Sequence, residues 1–106
     1  MTLHTVSPGA WGEAHQQVMT ISGDLVHRCP FRDEEDRGAV TITWDVDGAT
    51  LELHALADYL RTFTNQLVSH EDLTGRIHTD ITRTGLRGVT VTTTWRTAGL
   101  DVTVTR

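Results

Sequence analysis

The sequence predicts an α+β fold in which an antiparallel four-stranded sheet receives two helices after its second strand. Two observations predict it. Apolar and polar residues alternate with a two-residue period before and after the middle of the chain, which is the pattern of half-buried strands. Between these regions the apolar residues recur at spacings of three and four, the pattern of one helix face. The predicted order is therefore strand, strand, helix, helix, strand, strand.

Strands are predicted in both alternating regions. The first runs from His15 to Ile21, and the second covers residues 40 to 46, where every other residue is apolar. Asp47-Gly48 is a turn sequence and predicts that the second strand folds back on residues 50 to 53 as a hairpin. A second antiparallel pair is predicted by the alternating residues Val89, Val91, Thr93 and Trp95, followed after Ala98-Gly99 by Leu100, Val102 and Val104.

Two helices are predicted between these strand pairs. The first covers about Ala55 to Gln66, with an apolar face formed by Leu56, Tyr59, Leu60, Phe63 and Leu67. Ser69 followed by Asp72 resembles a capping box and predicts the start of the second helix. The apolar face of that helix consists of Leu73, Ile77 and Ile81. Gly85 is placed to end it.

Composition limits the possible function. The 106 residues are enough for one modest core, so we expect a single domain over residues 1–106. No apolar run or leader pattern is present, which predicts a cytoplasmic protein without membrane contact. The net charge is −5 and all nine cationic residues are arginines, so many phosphate contacts are not expected. Cys29 is the only cysteine, which excludes an intramolecular disulfide and a cysteine-rich zinc site.

The segment from Arg28 to Gly38 is predicted to be a polar loop and contains the single cysteine. One interpretation is a solvated turn that carries a chance thiol. The other is that Cys29 is a nucleophile and Asp36 its proton partner, because a thiol at its ordinary pKa is mostly protonated at neutral pH. The sequence by itself leaves both interpretations open.

The junction of the two helices carries a second polar group, Ser69-His70-Glu71-Asp72. Acidic residues here complement the dipole of a helix N-terminus, and that explains Asp72 well. A carboxylate such as Glu71 can also accept two hydrogen bonds from the N–H edge of a guanine-like ring. His70 beside it can act as a general acid or base near neutral pH.

Three blocks in one register resemble the bacterial QueF family, the 7-cyano-7-deazaguanine reductases, over about His15 to Asp101. Cys29-Pro30 with Asp36 and Gly38 resembles the catalytic loop of that family. Residues 51–60, reading LELHALADYL, resemble its segment Glu-Leu-Lys-Ser-Leu-Lys-x-Tyr-Leu without a gap. Phe63, Asn65 and residues 70–77, reading HEDLTGRI, fall on its Ser-Phe-Arg-Asn and His-Glu-Asp-x-Thr-Asn-Arg-Ile stretches.

The resemblance implies the tunnelling fold, in which several subunits assemble their sheets into a barrel with active sites between subunits. It also implies that Cys29 adds to the nitrile carbon of 7-cyano-7-deazaguanine to form a covalent thioimide. Asp36 would manage the proton, with His70 as a further catalytic residue. Glu71 and Glu52 would bind the substrate. In the reductases, two hydride transfers from NADPH then complete the reaction.

The sequence departs from the reductases where that family binds NADPH. Two lysines are replaced by His54 and Ala57, and an arginine is replaced by Thr64. We therefore expect no cofactor, with NADPH as the alternative. A chain that keeps the cysteine and the aspartate but lacks these cations resembles the short QueF-like enzymes of archaeosine synthesis. In those enzymes ammonia intercepts the thioimide and converts the nitrile to an amidine. The expected partners are 7-cyano-7-deazaguanine or a nucleic acid that carries it, ammonia, and further copies of the chain.

Three alternatives remain open at this point. The nearest is an NADPH-dependent reductase with a rearranged cofactor site. A zinc enzyme of the GTP cyclohydrolase type is disfavoured, because one cysteine and six scattered histidines lack ligand spacing, and no metal is expected. The third is a purine-binding or structural subunit without catalytic activity.

Overall fold

The structure, a computed structural model, describes residues 2–9 and 16–106. In these residues the chain forms six strands and two helices. The strands are β1 (Thr5–Val6), β2 (Gln17–Arg28), β3 (Glu35–Val46), β4 (Thr50–Leu51), β5 (Thr90–Thr97) and β6 (Leu100–Thr105). The helices are α1 (Leu53–Arg61) and α2 (His70–Thr82). Neither helix of the described chain has the length and apolar character needed to cross a membrane.

The main sheet has four strands in the order β2-β3-β5-β6, and every neighbouring pair is antiparallel. Both helices are inserted between β3 and β5, the second and third strands of this sheet. The predicted α+β fold and its order of elements are therefore confirmed. The C-terminal hairpin is confirmed as well, and its turn places Ala98 and Gly99 at φ 53° and 77°. Such angles suit a two-residue hairpin loop.

The core lies between one face of this sheet and the two helices. Alternation along β3 sends four apolar side chains into it, Val40, Ile42, Trp44 and Val46. The helices contribute Leu56, Leu60, Leu73, Ile77 and Ile81. Trp44 is fully buried, and its indole N–H donates to the Thr50 hydroxyl at 2.9 Å, so the largest core side chain leaves no polar atom unsatisfied.

The predicted hairpin after Asp47-Gly48 is wrong. The chain turns there, with Gly48 at φ 80°, but β4 pairs with β1 rather than with β3. The reason is that both edges of β3 are already occupied, one by β2 and the other by β5. A returning strand could find no free backbone groups on β3, so it forms a separate two-stranded sheet with the N-terminal segment.

The first long strand and the loop that follows differ from their predicted boundaries. The prediction began at His15, which lies outside the described residues, and ended at Ile21. In the structure β2 continues to Arg28, and β3 begins at Glu35. The predicted polar loop from Arg28 to Gly38 is therefore reduced to residues 29–34. Twelve paired residues on each strand make this extension possible, because the cross-strand ladder supports polar residues that have little strand propensity of their own.

Helix α1 begins earlier and ends earlier than the predicted span from Ala55 to Gln66. It begins after Glu52, whose carboxylate accepts hydrogen bonds from two backbone N–H groups of the first turn. It ends at Arg61 in tight turns in which each N–H bonds three residues back. Leu67, predicted on the apolar face of this helix, is 59% exposed as a result.

Candidate active site

A short loop presents the only thiol of the chain. Cys29 follows directly after β2 and is partly exposed. Its N–H donates to the Glu34 carbonyl at 2.8 Å, and its carbonyl accepts from the Asp33 N–H at 2.8 Å. The Arg28 guanidinium holds the Asp33 carboxylate at 2.8 Å. The loop is therefore closed by hydrogen bonds at its base, and it holds Cys29 at the end of the strand.

Asp36 lies beside this loop on β3, not within it. It pairs directly with His27 of β2, and both side chains are on the face of the sheet that the helices cover. His27 is fully buried, whereas the Asp36 side chain is 15% exposed. Cys29 stands two residues after His27, just beyond the end of β2. The Cys29 thiol and the Asp36 carboxylate make no hydrogen bond to each other in the described structure.

His70 joins this group from the first residue of α2. Its Nδ1 lies 2.9 Å from His27 Nε2, and its Nε2 lies 3.1 Å from the Thr97 hydroxyl. The Asp36 Oδ2 is 3.8 Å from His27 Nε2 and 4.0 Å from His70 Nε2. The fold thus brings together three titratable side chains from β2, β3 and α2. We call His27, Asp36 and His70 the His-Asp-His cluster.

An indole ring forms one wall of the His-Asp-His cluster. Trp95 stacks on the His70 imidazole with ring centres 4.4 Å apart, and its ring lies edge-on to His27 at 4.6 Å. The ring occupies this place because Gly38 faces it on the neighbouring strand. A Cβ at Gly38 would lie 2.5 Å from Trp95 Cε3 and would also overlap the Thr94 carbonyl oxygen. Gly38 is therefore required by close packing at the site.

Burial decides the charge of His27. Removal from water lowers the pKa of His27 and proximity to His70 lowers it further, while Asp36 and the Val68 and Arg28 carbonyls only partly oppose both effects. His27 is therefore neutral at pH 7. Its Nδ1 makes no hydrogen bond in the described structure, where the side-chain hydrogen bond of the ring is the one between Nε2 and His70.

The predicted site residues separate into two groups. The structure brings Asp36 and His70 together beside the Cys29 loop. Glu71 is exposed on the first turn of α2, next to His70. Glu52 does not join them, because its carboxylate caps α1 and also bonds His54 Nδ1 at 2.9 Å. These contacts lower the pKa of Glu52, chiefly through the bond from the Ala55 N–H.

Two residues of the site, His27 and Trp95, were not singled out from the sequence. Trp95 was assigned to a strand, but only the three-dimensional packing places it against an imidazole. His27 could have been found by extending the two-residue alternation through Leu25, His27 and Cys29, which puts all three on one face. The predicted end of the strand at Ile21 concealed this pattern.

The His-Asp-His cluster is the one group of potential metal ligands found among the described residues, with its ligand atoms within 4.8 Å of one another. A ligating histidine normally donates its second ring N–H to an acceptor. Coordination through His27 Nε2 would place that proton on Nδ1, which makes no hydrogen bond in the described structure. The arrangement is therefore better suited to hydrogen bonding than to a metal ion.

The side chains on the surface of α1 show how well this segment could bind the phosphate groups of NADPH. A groove of about 520 Å³ lies between α1 and β2 and is lined mainly by apolar and small residues. Arg61 is its only cationic lining residue, and the guanidinium already donates to the Asp58 carboxylate at 2.6 Å. His54 is turned to solvent and bonded to Glu52. Phosphate groups require several charged donors, so the described residues of this segment do not fit a dinucleotide phosphate.

Comparisons with known proteins identify relatives of the chain. No family model matches the chain. The NADPH-dependent 7-cyano-7-deazaguanine reductase of Chlorobium luteolum is 33% identical over 90 residues, which cover 83% of this chain and 78% of the relative. The reductase of the same name from Chlorobium phaeovibrioides is 28% identical over 102 residues, covering 94% and 88%.

A solved structure of an archaeosine synthase, described as QueF-Like and in the apo form, shares the fold with a TM-score of 0.81. The match covers 84% of this chain and 90% of that one at 18% identity, and it confirms the tunnelling fold of the subunit. The sequence identity to the reductases, the shared fold and the residues around Cys29 together show that the chain belongs to the QueF and QueF-like family.

Proposed function

We propose that the protein is a nitrile-processing enzyme that acts without a reductant on a 7-cyano-7-deazaguanine base. The observation that supports it most is the position of the Asp36 carboxylate, which is held with His70 beside the loop of the only cysteine. The relatives are named for a reaction of this base. The substrate class is therefore carried over from the family, while the outcome of the reaction is our proposal.

Cys29 is the proposed nucleophile. Its sulfur forms a bond to the nitrile carbon as one π bond of the nitrile breaks, and the nitrogen takes up a proton to give a thioimide. Asp36 accepts the thiol proton and returns it to this nitrogen. Ammonia then adds to the thioimide carbon, the C–S bond breaks, and the thiol is regenerated. The sum is nitrile plus ammonia giving amidine, and no electrons are exchanged.

A carboxylate close to this centre is proposed to hold the base. Glu71 is exposed beside His70 and is proposed to accept hydrogen bonds from the N–H edge of the heterocycle. Glu52 was predicted to share this role from the resemblance. Its oxygens already accept from two backbone N–H groups, so substrate contact through Glu52 would require these bonds to be shared or exchanged.

The alternative is an NADPH-dependent reductase, which is favoured by the names of the relatives. The groove between α1 and β2 argues against a reductase, because its single arginine, Arg61, is already paired with Asp58. Each charge-assisted contact to a phosphate contributes roughly 1.5–3 kcal/mol. The replacement of three cationic positions should therefore weaken dinucleotide binding by several thousand-fold, because about 1.4 kcal/mol corresponds to a factor of ten.

Intact-protein mass spectrometry tests the covalent step. Incubation with 7-cyano-7-deazaguanine should add the full mass of the substrate, because addition to a nitrile releases no leaving group. Cys29→Ala should abolish the gain.

Asp36→Asn should slow adduct formation by about 10²-fold, the scale expected for a positioned proton-transfer group. Asp101→Asn is the matched control, since Asp101 is exposed on β6 and bonded only to Arg96. An unchanged wild-type mass at saturating nitrile would reject the covalent function.

The fate of the adduct separates the two outcomes. Ammonia should discharge the thioimide to a product with the mass of the amidine, while NADPH alone should leave the adduct in place. Nitrile-dependent oxidation of NADPH at about 10⁻² s⁻¹ or faster, slow even for an ordinary enzyme, would instead identify a reductase. The same experiment with a nucleic acid that carries the nitrile base shows whether the free or the incorporated base is preferred.

A further inference from the structure

We propose that His27 is a positioning residue that donates its Nε2 proton to His70 Nδ1 and thereby holds His70 as a donor facing Asp36. In this tautomer the only ring proton of neutral His70 is on Nε2. The consequence for catalysis depends on the function proposed above, but the tautomer itself does not. Nothing in the family resemblance pointed to His27, which is recognised only from its contacts.

The buried nitrogen of His27 gives the first argument. A neutral imidazole carries one proton, on either Nδ1 or Nε2. His27 Nδ1 is buried and makes no hydrogen bond in the described structure, since the Val68 and Arg28 carbonyls that raise the pKa of the ring do not meet hydrogen-bond geometry with this nitrogen. A buried N–H without an acceptor is rarer in proteins than an unsatisfied acceptor. The proton therefore belongs on Nε2. The acceptor for it is His70 Nδ1, at 2.9 Å.

The Asp36 carboxylate gives a second, independent argument. Its Oδ2 lies 3.8 Å from His27 Nε2 and 4.0 Å from His70 Nε2. An anion favours an N–H group over a lone pair at both positions. Both arguments assign the same pair of protons, His27 Nε2–H and His70 Nε2–H. The Thr97 hydroxyl at 3.1 Å can accept from His70 Nε2, because a hydroxyl rotates to suit its partner.

This assignment changes the role of His70. While Nδ1 of His70 accepts from His27, it is not available to take a proton from the substrate. His70 therefore acts as a neutral hydrogen-bond donor towards Asp36. Such a donor can hydrogen-bond the Asp36 carboxylate, which is the proposed acceptor of the Cys29 thiol proton. The distance of 4.0 Å is slightly beyond hydrogen-bond range, and catalytic contacts of this kind often shorten only when substrate binds.

The surroundings keep the pair in place. Trp95 stacks on the His70 ring at an interplanar angle of 17°, which fixes its orientation. Burial lowers the pKa of His27 and so keeps its ring neutral, which allows the bond between the two rings to persist at neutral pH. Two charged imidazoles could not share a hydrogen bond, because both nitrogens of each would be donors.

Nuclear magnetic resonance of the ¹⁵N-labelled histidines tests the tautomer in the intact protein. At pH 7.5 long-range proton–nitrogen correlations should show His27 and His70 both protonated on Nε2 alone. A neutral His70 protonated on Nδ1, or a doubly protonated His70, would overturn the proposal. This measurement needs neither substrate nor activity, so its outcome is separate from that of the proposed function.

Two substitutions test the consequence for the reaction. His27→Gln keeps an N–H donor close to the position of Nε2, whereas His27→Leu keeps the volume and removes the donor. We expect His27→Leu to slow adduct formation by about 10- to 100-fold, as for other supporting hydrogen bonds. His27→Gln should recover most of that loss. If His27 only filled space, the leucine variant would react at least as fast as the glutamine variant, and that order would reject the positioning role.

Discussion

At the scale of single residues, the site depends on side chains whose properties are set by burial. His27 is fully excluded from solvent, and Asp36 is only slightly exposed. Gly38 allows the Trp95 ring to lie against β3, and the ring in turn covers His70. The chemistry proposed for Cys29 therefore depends on how its neighbours are buried and packed.

The shifted pKa of His27 predicts how stability changes with pH. The unfolded chain takes up a proton on His27 near the ordinary value of 6.5, whereas burial first and His70 second lower the folded pKa. Below pH 6.5 the unfolded state therefore binds more protons, so the free energy of unfolding falls as pH falls towards the folded pKa. Above pH 6.5 His27 is mostly unprotonated in both states, so its full contribution to the free energy of unfolding is present. Urea denaturation between pH 7.5 and 5.5 measures the change.

The control is His27→Gln, which cannot titrate. Its free energy of unfolding should decline less steeply over the same interval. His70 of α2 and Asp36 of β3 face His27 and are present in both proteins, so the difference between the two slopes isolates His27. Equal slopes would show that His27 has the same pKa in the folded and unfolded chains.

At the scale of elements, the start of α2 sets the positions of His70 and Glu71, two residues of the proposed site. The Ser69 hydroxyl accepts from the Asp72 N–H at 3.1 Å, so the helix begins at His70 and Glu71 follows on its first turn. Thr74, one turn later, bonds both the His70 carbonyl and the buried Thr93 hydroxyl of β5. The cap and this second contact fix the helix end against the sheet.

Ser69→Ala should lower the free energy of unfolding by about 1 kcal/mol, the usual effect of losing a helix cap. It should also slow the formation of the Cys29 adduct, since His70 and Glu71 would lose their fixed orientation. Ser22→Ala is the matched control, because Ser22 shares a hydroxyl contact with Thr41 on the open face of the sheet. An effect of the Ser69 substitution no larger than that of the control would show that the cap does not hold the site.

At the scale of the whole molecule, the two helices cover one face of the sheet, and the other described elements leave its opposite face open. Its opposite face carries rows of hydroxyl side chains, such as the paired Thr20 and Thr43 and the paired Thr92 and Thr105. Among the described residues, the outer edges of β2 and β6 have no neighbouring strand in the main sheet, and the outer edge of β2 is bonded at Arg28 to residues 66 and 68. Val18 and Leu100, on these strands, are 66% and 65% exposed. Unpaired edges of this kind promote association with other strands.

We therefore predict that the protein assembles through these edges into rings, as the family fold implies. Light scattering should show at least four subunits, because closing the sheet removes the free edges. Subunits carrying Cys29→Ala, mixed with subunits carrying Glu71→Ala, should recover adduct formation if each site draws on two subunits. A stable monomer of 11.8 kDa would contradict the assembly, and no recovery after verified exchange would place each site within one chain.

The sequence by itself determined the class and order of the elements. The alternating apolar residues of β3 are buried, and the spacing of four between Leu73, Ile77 and Ile81 marks the buried face of α2. The cap at Ser69 was also predicted and is confirmed. These features follow from the periodicity of the backbone and from contacts within a few residues, so they can be read from neighbouring positions in the chain.

The tertiary structure decided which strands pair and which polar groups meet. β4 pairs with β1, because β3 has no free edge, and β2 continues to Arg28, because β3 supplies a partner for every added residue. The same pairing sets His27 opposite Asp36, and the packing of α2 then brings His70 to them from 43 residues away. Such contacts depend on how distant segments occupy the same edges and space, which no local pattern in the sequence encodes.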